Sequence, residues 1–358
     1  MGIHVISMCA ILAIIPLYWL PVLPDLHIVW LLIAAGIALS VQQRKWLRFS
    51  GLALLFMCWG ILAAQESVWQ MNYLTQAPQQ TEVVITATDG ATMHQGRIVS
   101  LNGERVWAAM GVALYGNYLP QNVCVGQRWA MTLRLRAVHG ELNDGGYDSQ
   151  KNAFARHQTL SGRFTHAALV DEGCSLRAQY LTSLQNTLSA YQWGPVILGL
   201  GMGERLSVSR EIKNLMRDTG TMHLMAISGL HIALAASVIW FLARGIQFFL
   251  PGRWIIWQIP LLAGLIFAAF YAWLTGLQPP ALRTVIALVV LAALKMSGHQ
   301  WSPWQVWLTC VAAILIFDPL AVLSQSLALS AFAVAALIFW YQWLPLPHWQ
   351  RGRCLRPL

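Results

Sequence analysis

Charge is what this chain has least of. Only 10% of its 358 residues are Asp, Glu, Lys or Arg, and just 14 are acidic, whereas soluble domains carry about a quarter charged residues. Together with 57% hydrophobic residues and 18 tryptophans, this shortage excludes a soluble globular module and points to an integral membrane protein. The six cysteines form no CxxC pair and no Cys/His cluster, which removes the common zinc and redox frameworks. No G-x-x-x-x-G-K-[ST] loop occurs, so an ATP-driven motor would have to be a separate chain. The first twenty residues, "MGIHVISMCAILAIIPLYWL", lack a basic flank and a small-residue cleavage site. They are expected as a retained helix, not a leader.

The net charge of +9 is unevenly placed. Residues 65–190 hold nine basic and nine acidic residues, and residues 191–358 hold eleven basic and four acidic. A neutral middle segment gives no case for a polyanion partner, and the remaining excess fits the preference of Lys and Arg for cytoplasmic loops. Apolar runs of about 15 to 22 residues, roughly bilayer length, predict helices near 3–22, 26–42 and 49–65. A second group is predicted near 222–243, 254–275, 281–297, 304–318 and 321–343. The basic "QQRKWLR" loop is expected inside and "LPDLH" outside. Arg244, Arg253, Lys295 and the tail with Arg351, Arg353 and Arg356 then fall inside, and Asp318 outside.

Residues 66–175 read as a separate extramembrane β domain. In "QRWAMTLRLRA", Trp129, Met131, Leu133 and Leu135 share one face and Arg128, Thr132, Arg134 and Arg136 the other, the period of a half-buried strand. "EVVITAT", "GRIVSL" and "ERVWAAM" give shorter strands, divided by the turn signals "TDG" and "SLNGE". A small barrel or a sandwich fits. Helical spacing resumes over 176–192. Cys124 and Cys174, alone in this polar segment, are the candidate disulfide in an oxidising compartment; the alternative is two unrelated small residues.

Four stretches carry polar groups into apolar surroundings. In "GTMHLMAISGLHIALAASVIW", a continuous helix would place His223, Ser228 and His231 on one side and Gly229 on the other. Such groups face a bundle interior or a water-filled cavity, or are an interfacial and a packing histidine. The histidines are eight apart, about 12 Å along a helix, which argues against a shared zinc. The preceding "LGLGMGERLSVSREIKNLMRDTG" gives a short interfacial helix capped by Ser207 or Ser209. In "YAWLTGLQPPALRTV", Gly276 and the Pro279–Pro280 pair break a helix and Arg283 enters the next one, as at a cavity wall or as a snorkelling side chain. "FDPLAVLSQSLALSAFAVAAL" brings Asp318, Ser324, Ser326 and Ser330 to a helix start.

These stretches, in this order, resemble the ComEC family of inner-membrane DNA-uptake proteins. "RDTGTMHLMAISGLHIAL" is similar to its competence motif, "YAWLTGLQPPALR" to its tyrosine-to-arginine stretch, and "NDGGYDSQKNAFARHQTLSGRF" to the end of its OB-type domain. The resemblance implies a polytopic α-helical membrane protein of about eight transmembrane helices with an inserted extracytoplasmic OB-like β-barrel. Its segments are 1–65 (three helices), 66–175 (barrel), 176–220 (connecting and interfacial helices) and 221–358 (competence-type helices). It implies passage of single-stranded DNA through a polar pore, with His223, Ser228, Gly229, His231, Thr275, Gly276, Arg283, Asp318 and Ser330 at matching positions. Arg128, Arg134 and Arg136 are candidate backbone contacts beside stacking aromatics, or simply a solvated strand face.

The resemblance further implies the bilayer as partner, a separate periplasmic DNA receptor and a cytoplasmic motor, and allows a homo-oligomer. The N-terminus is expected in the cytoplasm and residues 66–220 in the periplasm. No cofactor or metal is expected, and the chain is not expected to be an enzyme. Many members add a metallo-β-lactamase-like domain; no HxHxDH motif is present, so a shortened version without nuclease activity is expected. A carrier of another anionic solute, a membrane hydrolase using Ser228 and His231, and a nonfunctional remnant stay open.

Overall fold

The computed structural model describes residues 2–343 apart from 21, 90–91, 116–118, 120–122, 141–142, 144–145, 147, 205–207, 226 and 253–254. Ser207, Arg253 and the arginines of the tail lie outside the described residues. The chain divides into two compact units, Met1–Gly60 with Ile286–Leu358, and Ile61–Val285.

The first unit is helical. It holds α1 (Ile3–Ile14, extended by a 3-10 turn over Ile15–Tyr18), α2 (Leu26–Ser40), α11 (Pro303–Phe317) and α12 (Gln325–Trp343). Ile14, Ile314, Leu315, Ala321 and Leu327 form its core. Gly51 allows close backbone approach, since a Cβ there would meet the backbone of Gly36 and Ser40.

Two helices run from one unit into the other, α3 (Lys45–Leu74) and α10 (Pro279–Met296). The sequence predicts the end of α3 at 65, but the helix continues to Leu74. Its last turns gain burial there: Met71 and Leu74 join the barrel core, Leu74 with no exposed surface. The first strand of the β domain begins at Gln79, after these turns.

The second unit carries the barrel and the broken helices. Strands β1 (Gln79–Thr88), β2 (Met93–Leu101), β3 (Glu104–Tyr115), β4 (Arg128–Ala137) and β5 (Leu160–Asp171) close in the order β1-β2-β3-β5-β4. Among the described residues, β3 pairs with β5 in parallel and the other four pairs are antiparallel. A closed barrel, rather than a sandwich, settles the alternative, and closure removes the free edges of an open sheet. The alternation read in β4 is the barrel wall: Trp129, Met131, Leu133 and Leu135 are buried, and Arg134 and Arg136 are exposed. At "SLNGE", Asn102 and Gly103 both have positive φ, as a two-residue hairpin turn requires. Cys124 and Cys174 are bonded, with Cα atoms 5.7 Å apart.

After the short α4 (Ser149–Ala155) and β5 come α5 (Leu176–Leu188), α6 (Gly194–Met202), α7 (Arg210–Asp218), α8 (Gly229–Phe248) and α9 (Gln258–Leu274). Ser209 caps α7, its hydroxyl accepting from the Ile212 N–H at 3.3 Å. Four helices, α3, α8, α10 and α12, are long and apolar enough to cross a membrane, while α1, α2, α9 and α11 are shorter apolar helices. Phe248 is 83% exposed, Leu230 75% and Phe332 73%. Helix faces this apolar need a lipid solvent, so this is a membrane protein.

Candidate functional site: a cluster of broken helix ends

Two of the polar motifs, at the ends of α6 and α9, meet within the second unit where helices stop. α6 ends at Gly203, whose φ of +72° gives a left-handed cap. A Cβ at Gly203 would face the Thr275 carbonyl and Ile227. α9 ends beside it. Thr275 is fully buried and its hydroxyl donates to the Ala272 carbonyl at 3.0 Å. Gly276 and Leu277 then both take positive φ, +83° and +51°, before α10 starts at Pro279. The break expected at Gly276 and Pro279–Pro280 is present. Tyr271 ties the two ends together, donating its hydroxyl to the Gly201 carbonyl at 3.2 Å.

A residue outside the predicted set completes this junction. Arg177, in the first turn of α5, donates from Nε to the Leu274 carbonyl at 2.7 Å and from Nη2 to the Met202 carbonyl at 3.2 Å. Both are carbonyls at helix C-termini, which have no intrahelical partner and carry the negative end of the macrodipole. Burial lowers the Arg177 pKa from its ordinary value, and the Glu204 carboxylate opposes that shift; a guanidinium stays protonated regardless. A Cβ at Gly276 would stand 3.2 Å from the guanidinium carbon, a tight contact. Gly276 is required for its positive φ.

The helix expected over 222–243 is a correction. Thr221–Met225 is a 3-10 turn, and α8 starts only at Gly229. Gly220 takes a left-handed φ of +68°, and Ser228 prefers to cap rather than continue a helix. His223, Ser228 and His231 thus do not form one helical stripe. His223 Nδ1 lies 2.8 Å from the Gly220 carbonyl; a carbonyl only accepts, so this nitrogen carries the proton. His231 Nδ1 accepts from the Ser228 N–H at 3.2 Å, which places its ring proton on Nε2. The Ser228 hydroxyl is 2.9 Å from the same Nδ1. Ser228 and His231 form a capping box at α8, and both rings are exposed. Gly229, next in the chain, lets the start of α8 approach α10 at one point, since a Cβ there would strike the Thr284 hydroxyl.

Arg283 is half-buried in the first turn of α10, its Nε donating to the Pro279 carbonyl at 3.1 Å. Asp318 and Ser330 belong to the first unit. Asp318 closes α11 and precedes a 3-10 turn over Pro319–Leu323 rather than starting an α-helix. Ser324 and Ser326 share a 2.9 Å hydroxyl contact, and Ser330 is exposed on α12. Among the described residues, no group of three His, Cys, Asp or Glu can hold a metal ion.

On the barrel, the three arginines separate. Arg128 pairs with Glu82 at 4.0 Å, because β1 and β4 are neighbours. Arg134 and Arg136 are exposed, and Arg134 stands directly opposite Arg163 of β5. Like charges opposite one another across a ladder are unfavourable, and among the described residues Arg134, Arg136 and Arg163 have no acidic partner. His166, opposite Thr132, is exposed near them. Arg163 and His166 escape a reading of the sequence because β5 itself does.

Comparison with known proteins fits these motifs. Residues 200–356 match the Competence family, described as Competence protein. Recombination protein 2 of Haemophilus influenzae is 31% identical over 88% of this chain and 38% of its own length. Competence protein ComA of Neisseria gonorrhoeae is 32% identical over 77% of this chain and 41% of its own. The chain belongs to the ComEC family of competence proteins. An uncharacterised Escherichia coli K12 member, YcaI, is 58% identical over 99% of this chain and 47% of its own length. The chain thus spans less than half of these ComEC relatives, and the helix breaks described above fall almost wholly within the matched Competence region. No solved structure matches.

Proposed function

We propose that this chain is a membrane component of DNA uptake that passes single-stranded DNA across the bacterial inner membrane. The observation that carries the proposal is the match of residues 200–356 to the Competence family, falling on the segment where helix ends break and polar side chains gather. Relatives named for recombination and competence fit the same role. A passing strand of phosphates needs water and spaced donors rather than a tight clamp. The His231 Nε2–H supplies such a donor and the Arg283 guanidinium a positive charge. We read the closed β1-β2-β3-β5-β4 barrel as OB-like, a fold that binds oligonucleotides, and its Arg134, Arg136 and Arg163 face supports an unneutralised track for a phosphate backbone.

In this reading all eight apolar helices span the membrane, the short ones by packing within a bundle or by local thinning of the bilayer. The N-terminus is cytoplasmic and residues 66–220 are periplasmic, which agrees with the basic loop at 42–48 and with the disulfide. A separate periplasmic receptor and cytoplasmic motor complete the pathway, and homo-oligomers are compatible with it. The chain acts without a cofactor and is not an enzyme.

The test is uptake of labelled DNA into a nuclease-protected cytoplasmic pool. Cells lacking the protein are compared with cells given this chain or its His231→Ala and Arg283→Ala variants. Rescue by the chain and not by the variants is expected; equal rescue by all three refutes the role of these groups in transit. The 2.9 Å Ser228–His231 contact supports a second reading, a hydrolase. Turnover of ester or phosphodiester substrates that disappears in Ser228→Ala would establish it instead.

A further inference from the structure

The Cys124–Cys174 disulfide and Arg177 lie at two ends of one short rigid path. Cys124 heads the loop before β4, where the buried Gln127 side chain accepts from the Cys124 N–H at 3.1 Å and from the Trp129 indole at 3.2 Å. On the other side of the disulfide, the Ser175 N–H donates to the Val125 carbonyl at 2.8 Å. Gly126, with φ of +108°, lies so close to Ser175 that a Cβ would meet its backbone nitrogen. Ser175 then caps α5, accepting from the Ala178 N–H at 3.2 Å, and Gln179 Nε2 donates back to the Cys174 carbonyl at 3.0 Å. The N-terminus of α5 is thereby fixed to the barrel by a covalent bond and a backbone hydrogen bond. Arg177, two residues beyond the cap, holds the ends of α6 and α9.

We infer that Arg177 is a positioning residue for the bend between α9 and α10, and that the barrel sets its position through the Cys124–Cys174 bond. The geometry demands arginine. Two helix-end carbonyls, one from each broken helix, are met by different nitrogens of one planar guanidinium, a fork that a lysine point charge does not reproduce. α6 and α9 have no such link through their own sequence, because their ends lie some seventy residues apart along the chain, as Gly201 and Tyr271 do. A shift of the barrel against the membrane helices therefore moves the guanidinium, and the guanidinium moves the left-handed bend at Gly276–Leu277. The bearing of this strut on DNA passage rests on the reading given above; the strut itself does not.

The test uses the full chain with Cys9, Cys58, Cys310 and Cys354 changed to Ala and a reporter thiol introduced by Leu277→Cys. Labelling of that thiol by a membrane-impermeant maleimide reports on the bend. Arg177→Gln is expected to speed labelling about tenfold, the equivalent of losing one charge-assisted hydrogen bond. Removing the disulfide with Cys124→Ala and Cys174→Ala is expected to speed it in the same direction. Combining both changes should add nothing beyond the larger single effect, because they interrupt one path. Unchanged labelling in an Arg177→Gln chain that accumulates normally overturns the inference, and so do additive effects. If Arg177→Gln does not accumulate, Arg177→Lys takes its place: intermediate labelling supports the fork, and wild-type labelling overturns it. Binding of a DNA oligonucleotide should be the same in Arg177→Gln and wild type while nuclease-protected uptake falls. If the wild-type chain takes up no DNA, the function proposed above fails while the labelling result still decides the strut.

Discussion

Gly229→Ala offers a direct measure of how closely the competence motif is packed. A methyl group at this position would collide with the Thr284 hydroxyl, while the Thr284 Cβ would stand at 3.5 Å, an ordinary contact. The obstruction is thus one oxygen, and that oxygen is already engaged, donating to the Pro280 carbonyl at 3.0 Å. Rotating Thr284 out of the way forfeits about 1 kcal/mol for the broken hydrogen bond, and overpacking without rotation costs about 1–3 kcal/mol. Gly229 is the first residue of α8, so little of the roughly 0.5–1 kcal/mol that Ala for Gly returns in a helix interior offsets this cost. The net expectation is a destabilisation of about 1 kcal/mol, or roughly 2–4 °C in melting temperature for a unit of about 200 residues. Thr284→Ala removes the obstructing oxygen, so the double variant should recover most of the deficit. Thermal unfolding of the detergent-solubilised chain, followed in wild type, both single variants and the double, completes the cycle. If Gly229→Ala is neutral, or Thr284→Ala does not relieve it, then α8 and α10 do not meet at this point.

Trp129→Ala should cost about 3–5 kcal/mol, since the ring is fully buried and its indole N–H is bonded to Gln127; a fall in the barrel's resistance to limited proteolysis checks this. Arg134→Gln with Arg163→Gln should weaken oligonucleotide binding and flatten its dependence on log salt by about 0.7 for each phosphate no longer neutralised. Arg128→Gln, whose charge is already paired with Glu82, should leave that slope nearly unchanged. Equal slopes in all three proteins would show that the β4–β5 face does not bind the phosphate backbone.

Local pattern makes much of this molecule legible. The alternation of Trp129, Met131, Leu133 and Leu135 identifies a barrel strand because each burial choice is made one residue at a time. Asn102–Gly103 marks its turn because few residues tolerate two successive positive φ values. β5 stays hidden for the opposite reason: its pairing with β4 shifts register between Thr132 and Leu133, and a bulge interrupts the alternation that would reveal it. Apolarity alone also does not show where a helix stops, so it places the start of α8 seven residues early, across Ser228 and the 3-10 turn that follows Gly220. Arg177 leaves no local trace, because its partners at 202 and 274 are joined to it only by the fold. Gly203 and Gly276 are the available signal: left-handed helix ends expose carbonyls that need a donor from elsewhere.

The motif residues therefore have a first task that precedes any contact with DNA. Backbone groups freed at a helix break within a membrane must be satisfied by the protein or by water, and here Arg177, Tyr271, Thr275, Thr284 and the Ser228–His231 box do so. His231 is the residue for which the two tasks can be separated. A capping box is commonly built with Gln at this third position, so His231→Gln keeps an acceptor for the Ser228 N–H, whereas His231→Ala removes it at a cost of about 1 kcal/mol. Stability should accordingly follow the order wild type, Gln, Ala, with Gln close to wild type. DNA uptake should follow a different order, because glutamine does not place a donor where the imidazole Nε2–H lies: both variants should fall well below wild type. Normal uptake by His231→Gln alongside impaired uptake by His231→Ala would reduce His231 to a capping residue. The next group to test for contact with the strand would then be Arg283, a half-buried cation near the start of α10.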